Sequence, residues 1–224
     1  MSDALVHHRH ADGVSTITLD SPHNRNALSA QLLAELNTAI DAAEAADARA
    51  IVVRHEGPAF CAGADLKERR SGPPDSGPMV RVLERLMDTP RPTIAAVNGA
   101  VRAGGIGLMA SCDLIVVSNA IDFALTEVRI GVAPAIVSVP ILRRVPAGKI
   151  TAAMLTGERF SAADALAMGL VTHVSDDVAE TVDRLIEGIL AGAPRSWSLF
   201  CDLGCCARPR FRSFFGCTLS GEPS

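Results

Sequence analysis

The chain has 224 residues, 48% of them hydrophobic and 21% charged, enough for one domain with a core of ordinary size. A formal charge of −4, an aromatic content of 4% and the lack of any Tyr exclude a basic, base-stacking surface for nucleic acid. No apolar run reaches membrane-spanning length, and the first residues lack the basic and apolar regions of a secretory signal, so a cytoplasmic protein with no membrane partner is expected.

Residues 4–9 and 14–19 read as two strands joined at the hairpin signal Ala11-Asp12-Gly13. Ser29 opens a helix in which Leu32, Leu33, Leu36, Ile40 and Ala43 recur at helical spacing. Buried strands are predicted at 50–53, 93–97 and 113–117, with a short Gly-rich helix at 104–111 before the last of them. Strands alternating with helices predict an α/β fold with parallel pairing. Residues 71–78, Ser-Gly-Pro-Pro-Asp-Ser-Gly-Pro, are expected to form neither helix nor strand, a loop placed to serve as a lid. Helices follow at 147–155, 162–168 and 178–190, with a strand at 170–174 between the last two, and no internal repeat is visible.

Residues 1–196 carry this pattern and residues 197–224 do not. The tail holds Trp197, four of the seven Phe, four of the six Cys and Arg208, Arg210 and Arg212, with no helical period. Two readings stand: a poorly ordered tail, and a reading frame that leaves its ancestral course near Ser196. The six Cys show no zinc-type spacing and are expected as free thiols, and the six His form no metal-ligand pattern. All six His are taken as non-catalytic.

Three segments carry candidate chemistry. In Ala59-Phe60-Cys61-Ala62-Gly63-Ala64-Asp65-Leu66-Lys67-Glu68, a strand enters a turn of small residues, and Asp65-Leu66-Lys67 reads as a helix start. Small residues let a ligand approach the main chain, and N–H groups at a helix start point at anions. In Asn98 to Leu108 a second strand ends in Ala103-Gly104-Gly105 and a helix begins. This turn lacks the register of a dinucleotide fingerprint and the Gly-Lys-Ser/Thr of a phosphate loop, which sets an NAD-dependent oxidoreductase aside. Either turn alone also reads as an ordinary strand-to-helix connection; together they supply two converging N–H donors, an oxyanion hole. In the third segment Glu127 lies in an apolar stretch, where burial would make it a stronger base toward a carbon acid, or where it would pair with Arg129. Lys67 and Arg102 flank the two turns, as phosphate contacts or as plain surface charges.

Taken in order, these segments resemble the crotonase superfamily of enoyl-CoA hydratases and isomerases. The resemblance also rests on Asn24-Arg25-Asn26-Ala27-Leu28 and on Leu155-Thr156-Gly157-Glu158-Arg159-Phe160 with Ala165 and Gly169-Leu170-Val171. It implies a crotonase-like spiral of ββα units with a helical C-terminal region, assembled as a homotrimer or a dimer of trimers. It implies an acyl-CoA thioester as substrate and no further cofactor, since CoA is part of the substrate. Glu127 with the backbone N–H groups of Ala64 and Gly104 would be the catalytic groups. Ala27, Leu28, Ala62, Ala64, Asp65, Leu66, Lys67 and Gly104 would bind the CoA ester.

The chain departs from that pattern at one catalytic position. Hydratases of the family carry a second glutamate three residues past the oxyanion glycine, where this chain has Gly107. A single carboxylate suffices to move a double bond from position 3 to position 2, so a Δ3,Δ2-enoyl-CoA isomerase is favoured. A 2-enoyl-CoA hydratase or other lyase, and a non-catalytic acyl-CoA binder, are the alternatives. The dienoyl-CoA isomerase branch needs an Asp eight residues after Glu127, and Ala135 stands there.

Overall fold

The computed structural model describes residues 4–65, 67–68 and 75–193. The tail 197–224, residues 71–74 of the expected lid loop and Leu66 lie outside them.

β1 (Val6–Ala11) and β2 (Val14–Leu19) form an antiparallel hairpin. Its turn sets Asp12 at φ 51° and Gly13 at φ 79°, two left-handed residues in succession, as the tightest hairpins require. After a 3-10 turn at Pro22–Asn24 comes α1 (Ala30–Ala45), opened by Ser29, whose hydroxyl accepts from Leu32 N at 3.2 Å. Then follow β3 (Ala50–His55), β4 (Ala59–Cys61), α2 (Gly77–Asp88), β5 (Thr93–Val97), β6 (Ala100–Arg102) and α3 (Gly104–Ala110). β7 (Leu114–Ser118), β8 (Asp122–Ala124), a 3-10 turn at Thr126–Ile130 and α4 (Ala135–Arg144) complete the series. The last part is α5 (Ala147–Thr156), β9 (Arg159–Ser161), α6 (Ala162–Met168), β10 (His173–Ser175) and α7 (Val178–Ala191).

The strands sort into two sheets, one in the order β1-β2-β3-β5-β7-β10 and the other β4-β6-β8-β9. β3, β5 and β7 lie parallel in the first, and β4, β6 and β8 parallel in the second. Each pair is followed by a helix: β3-β4-α2, β5-β6-α3 and β7-β8-α4. The chain thus repeats a ββα turn three times, a spiral with a helical C-terminal region. The repeat lies in the backbone and leaves no trace as repeated sequence, which is why none is visible in the letters.

Alternate residues of the parallel strands face opposite ways. Ile51, Val53, Ala95, Val97, Ile115 and Val117 join the main core with α1 and α2. Val52, Ile94, Ala96 and Val116 face a smaller core closed by Val178 and Val182 of α7. Arg49 fastens the end of α7, donating to the carbonyls of Ile189, Leu190 and Gly192. Among the described residues no helix is long and apolar enough to cross a membrane.

Four expectations change. The loop read at 71–78 ends earlier, since Gly77 and Pro78 already belong to α2. Proline fits there because first-turn N–H groups have no intrahelical acceptor to lose. The strand read at 170–174 is shorter and later, at His173–Ser175. No helix is expected from the sequence over 79–88 or 135–144, yet α2 buries Val82, Leu83, Leu86 and Met87. α4 forms in spite of an interior Pro140. The helix start read at Asp65–Lys67 falls across Leu66, outside the described residues; beside it Asp65 Oδ1 accepts from Lys67 N at 2.8 Å.

Candidate active site

Two main-chain arms meet at the site. One is β4 with the turn to Ala64; the other is β6 with the turn into α3. They run in parallel, Ala59 beside Ala100 and Cys61 beside Val101. Glycines allow their close approach at three levels. A Cβ added at Gly99 would lie 2.5 Å from Pro58 O; one at Gly105, 2.7 Å from Cys61 Cβ; one at Gly63, 2.8 Å from Ala103 Cβ. Gly63 also holds φ 93°, a region L-residues rarely enter.

Both candidate amides sit at the tips of these arms. Leu28 N donates to Gly63 O at 2.8 Å, and Asp65 N donates to Leu28 O at 3.4 Å. This parallel bridge uses the groups on either side of Ala64, so the Ala64 N–H itself points away from Leu28. Gly104 N–H opens α3 and has no intrahelical acceptor. It is presented by Ala103, a non-glycine at φ 49° and ψ −121°, whose own N–H donates to Ala124 O at 3.0 Å. Such a backbone costs about 1–3 kcal/mol and persists only where its surroundings enforce it.

The Asn24–Leu28 segment braces the first arm. Asn26 is fully buried; its Oδ1 accepts from Ser21 N at 2.6 Å, and its Nδ2 donates to Glu56 O at 3.0 Å and Ala59 O at 2.8 Å. Ala62 N donates to Arg25 O at 3.0 Å. The motif therefore acts through Asn26 and its main chain as well as through Ala27 and Leu28.

Ala64, Gly104 and Glu127 line one cavity of about 340 Å³ with Leu28, Met79 and Val137. Glu127 is half-buried on the 3-10 turn, with Oε2 out of contact with solvent. Its carbonyl accepts from Val132 N at 3.0 Å, which anchors the turn. Arg129, which the sequence offers as a partner for this acid, turns to the Thr156 carbonyl at 3.5 Å. Two main-chain amides and one carboxylate lining one largely apolar cavity are groups suited to polarising a carbonyl and moving a proton.

The space beside Gly107 is taken. A Cβ there would lie 2.7 Å from Val137 Cγ1, 2.8 Å from Val137 Cβ and 3.2 Å from Val137 Cα. Residue 107 is therefore a close contact between α3 and α4. A side chain at 107 requires Val137 to shift.

The remaining candidates scatter. Asp65 borders a separate polar groove with Asn24, Ser29 and Glu68, and Glu68 Oε2 accepts from Ala30 N at 2.9 Å. Ala27 is buried and Ala62 half-buried, and neither lies in the cavity wall. Lys67 is exposed. Arg102 is bound to Asp122 by its side chain and by the Asp122 carbonyl, and so serves as a strut between β6 and β8. Burial pushes the Cys61 thiol up to about 12, so this free cysteine packs beneath the arms rather than acting as a thiolate. No group of three or more metal-ligating side chains occurs among the described residues. Met79 and Val137 went unmarked in the sequence because both lie on helices it did not reveal.

Comparison with known proteins agrees over most of the chain. The family model described as enoyl-CoA hydratase/isomerase matches residues 9–203. A Thermus thermophilus protein provisionally named an enoyl-CoA hydratase is 36% identical over 197 residues, covering 83% of this chain and 78% of that one. The mitochondrial enoyl-CoA hydratase domain-containing protein 3 of Rattus norvegicus is 34% identical over 194 residues; the match covers 83% of this chain but 65% of the rat protein. A crystal structure of an enoyl-CoA hydratase from Mycobacterium avium superposes with a TM-score of 0.82 at 36% identity, covering 95% of this chain and 86% of that one.

Proposed function

This chain belongs to the enoyl-CoA hydratase/isomerase family, the crotonase superfamily, and from that premise we propose that it is a Δ3,Δ2-enoyl-CoA isomerase with Glu127 as its single base. The observation that carries this reading is the shared cavity of Glu127, Ala64 and Gly104, with Val137 filling the space beside Gly107.

In this reading the thioester oxygen sits between the amides of Ala64 and Gly104. As the C2 proton leaves, negative charge grows on that oxygen and the two N–H groups stabilise it; one such donor is worth roughly 10²–10³ in rate. The Glu127 carboxylate takes the C2 proton and returns it at C4, and the double bond moves to position 2. Atoms balance within the substrate, so neither water nor a further cofactor takes part. Leu28 and Ala64 line the cavity that would take the acyl end of the ester. The exposed Ile130, Leu142, Leu155 and Leu166 suit self-association into a trimer.

A second reading, 2-enoyl-CoA hydratase, is favoured by the names of the relatives. Assays on purified protein separate the two. Formation of 2-enoyl absorbance from a 3-enoyl-CoA supports the isomerase. Loss of that absorbance from a 2-enoyl-CoA, with none gained from the 3-enoyl ester, replaces it with the hydratase.

A further inference from the structure

His55 closes β3 at the root of both arms. It is 8% exposed and packs edge-on against Phe60, ring centroids 5.6 Å apart at 84°. Its Nε2 accepts from Asn98 N at 3.0 Å. Only a bare ring nitrogen accepts an N–H, so the ring is neutral with its proton on Nδ1. Nδ1 is buried toward the main chain of Glu56 and Ala59 and makes no well-formed hydrogen bond there.

Resting on the functional reading above, we propose that His55 is a positioning residue: its neutral imidazole fixes the root of the 98–104 arm and thereby sets the Gly104 amide against that of Ala64. Asn98 is the point where the chain leaves β5 for this arm. From there the arm is packed closely on its neighbour, Gly99 against Pro58, Ala103 against Gly63 and Gly105 against Cys61. Interiors packed this closely pass a displacement on rather than absorb it. One other side chain hydrogen-bonds the main chain of 98–104 among the described residues, Arg102, and it reaches its own neighbour Val101. His55 thus ties the start of this arm to β3, as Arg102 ties its β6 part to Asp122 of β8.

The contact depends on protonation. Burial holds the ring below the ordinary histidine range; Glu56 opposes this and Arg54 adds to it. These two charges pair with each other at 2.9 Å, and no charged group from β2, β4 or β5 acts on the ring among the described residues. A protonated Nε2 would turn an N–H toward the Asn98 N–H, and the bond would be lost. Because the folded value lies below the unfolded one, the stabilisation is complete above the ordinary histidine range and is lost as pH falls through the lower folded value.

The test compares His55→Phe, which keeps a ring but no acceptor, with His55→Gln, whose amide oxygen can take the Asn98 N–H. For 3-enoyl-CoA turnover, His55→Phe should lower kcat about 10- to 100-fold with KM within about twofold, as for a misplaced oxyanion donor. His55→Gln should recover kcat to within about threefold, and its acid limb should lose the ionisation contributed by His55. Amide hydrogen exchange across 98–104 should quicken in His55→Phe and return in His55→Gln. Unchanged kcat and exchange in His55→Phe, or a His55→Gln as impaired as His55→Phe, overturns the proposal. If His55→Phe does not fold, the pH profile and exchange of His55→Gln against the native protein decide. If the native protein turns over neither ester, the functional reading fails separately, and exchange in the two variants still judges His55.

Discussion

The two sides of the cavity differ in what holds them. On one side, residues 58–64 and 98–105 are main chain pressed on main chain, with glycines at each close approach and Ala103 held in an unfavourable conformation. On the other, residues 126–137 are a 3-10 turn and the start of a helix, with Ile130 and Leu142 beyond it in solvent. The first side offers only backbone donors, and moving them means rebuilding two strands. The second offers side chains, and one substitution changes what it can do. Geometry and proton transfer are thus assigned to separate parts of the molecule.

Substitutions can break that division or sharpen it. Glu127→Gln is expected to have the largest effect, lowering isomerase kcat by about 10²–10⁴ while the melting temperature stays near its native value. Turnover assays beside a thermal melt check this, and full activity would show that proton transfer lies elsewhere. On the arm side the order reverses, with folding hit first. Gly105→Ala should cost about 1–3 kcal/mol in a denaturant titration, because the new methyl meets both Cys61 Cβ and Cys61 O, and activity should fall with it.

Gly107→Ala should cost a similar amount, since Val137 opposes it from 2.7 Å. Val137→Ala in the same chain should restore part of the loss, with a coupling energy of about 0.5–3 kcal/mol in a double-mutant cycle. Additive losses would mean that the two positions do not share the space assigned to them. Asp122→Asn should matter least. Burial alone would raise this carboxyl, but the guanidinium of Arg102, with Arg159, holds it below the usual range. The pair stabilises the fold above about pH 4, the unfolded aspartate value, and is lost as pH falls through the lower folded one. Being partly exposed, it contributes at most about 1 kcal/mol, so titrations at neutral and acid pH should differ little between Asp122→Asn and the native chain.

The same contrast explains what the sequence reveals. The arms are legible because close backbone approach demands glycine, and Gly63, Gly99, Gly104 and Gly105 stand where the turns need them. The hairpin is legible at Asp12-Gly13 for a related reason, since few residues accept left-handed backbone. The wall is harder to read. Residues 132–142 alternate apolar residues with Pro134 and Pro140, and nothing local says helix; α4 forms because α3 and the cavity supply a surface to cover. α2 carries a clear apolar period, but it begins inside a Gly- and Pro-rich run that reads as loop. His55 and Asn26 give no local signal, because their partners lie 43 and 33 residues away at Asn98 and Ala59.

The contact between Gly107 and Val137 bears on how this lineage could change its chemistry. An acid introduced at 107 while valine stands opposite would disrupt the helix pair before it could act on a substrate. Trimming 137 first leaves a small gap that a lineage can tolerate and later fill. The order of the two replacements is therefore constrained, the reverse order passing through a less stable intermediate.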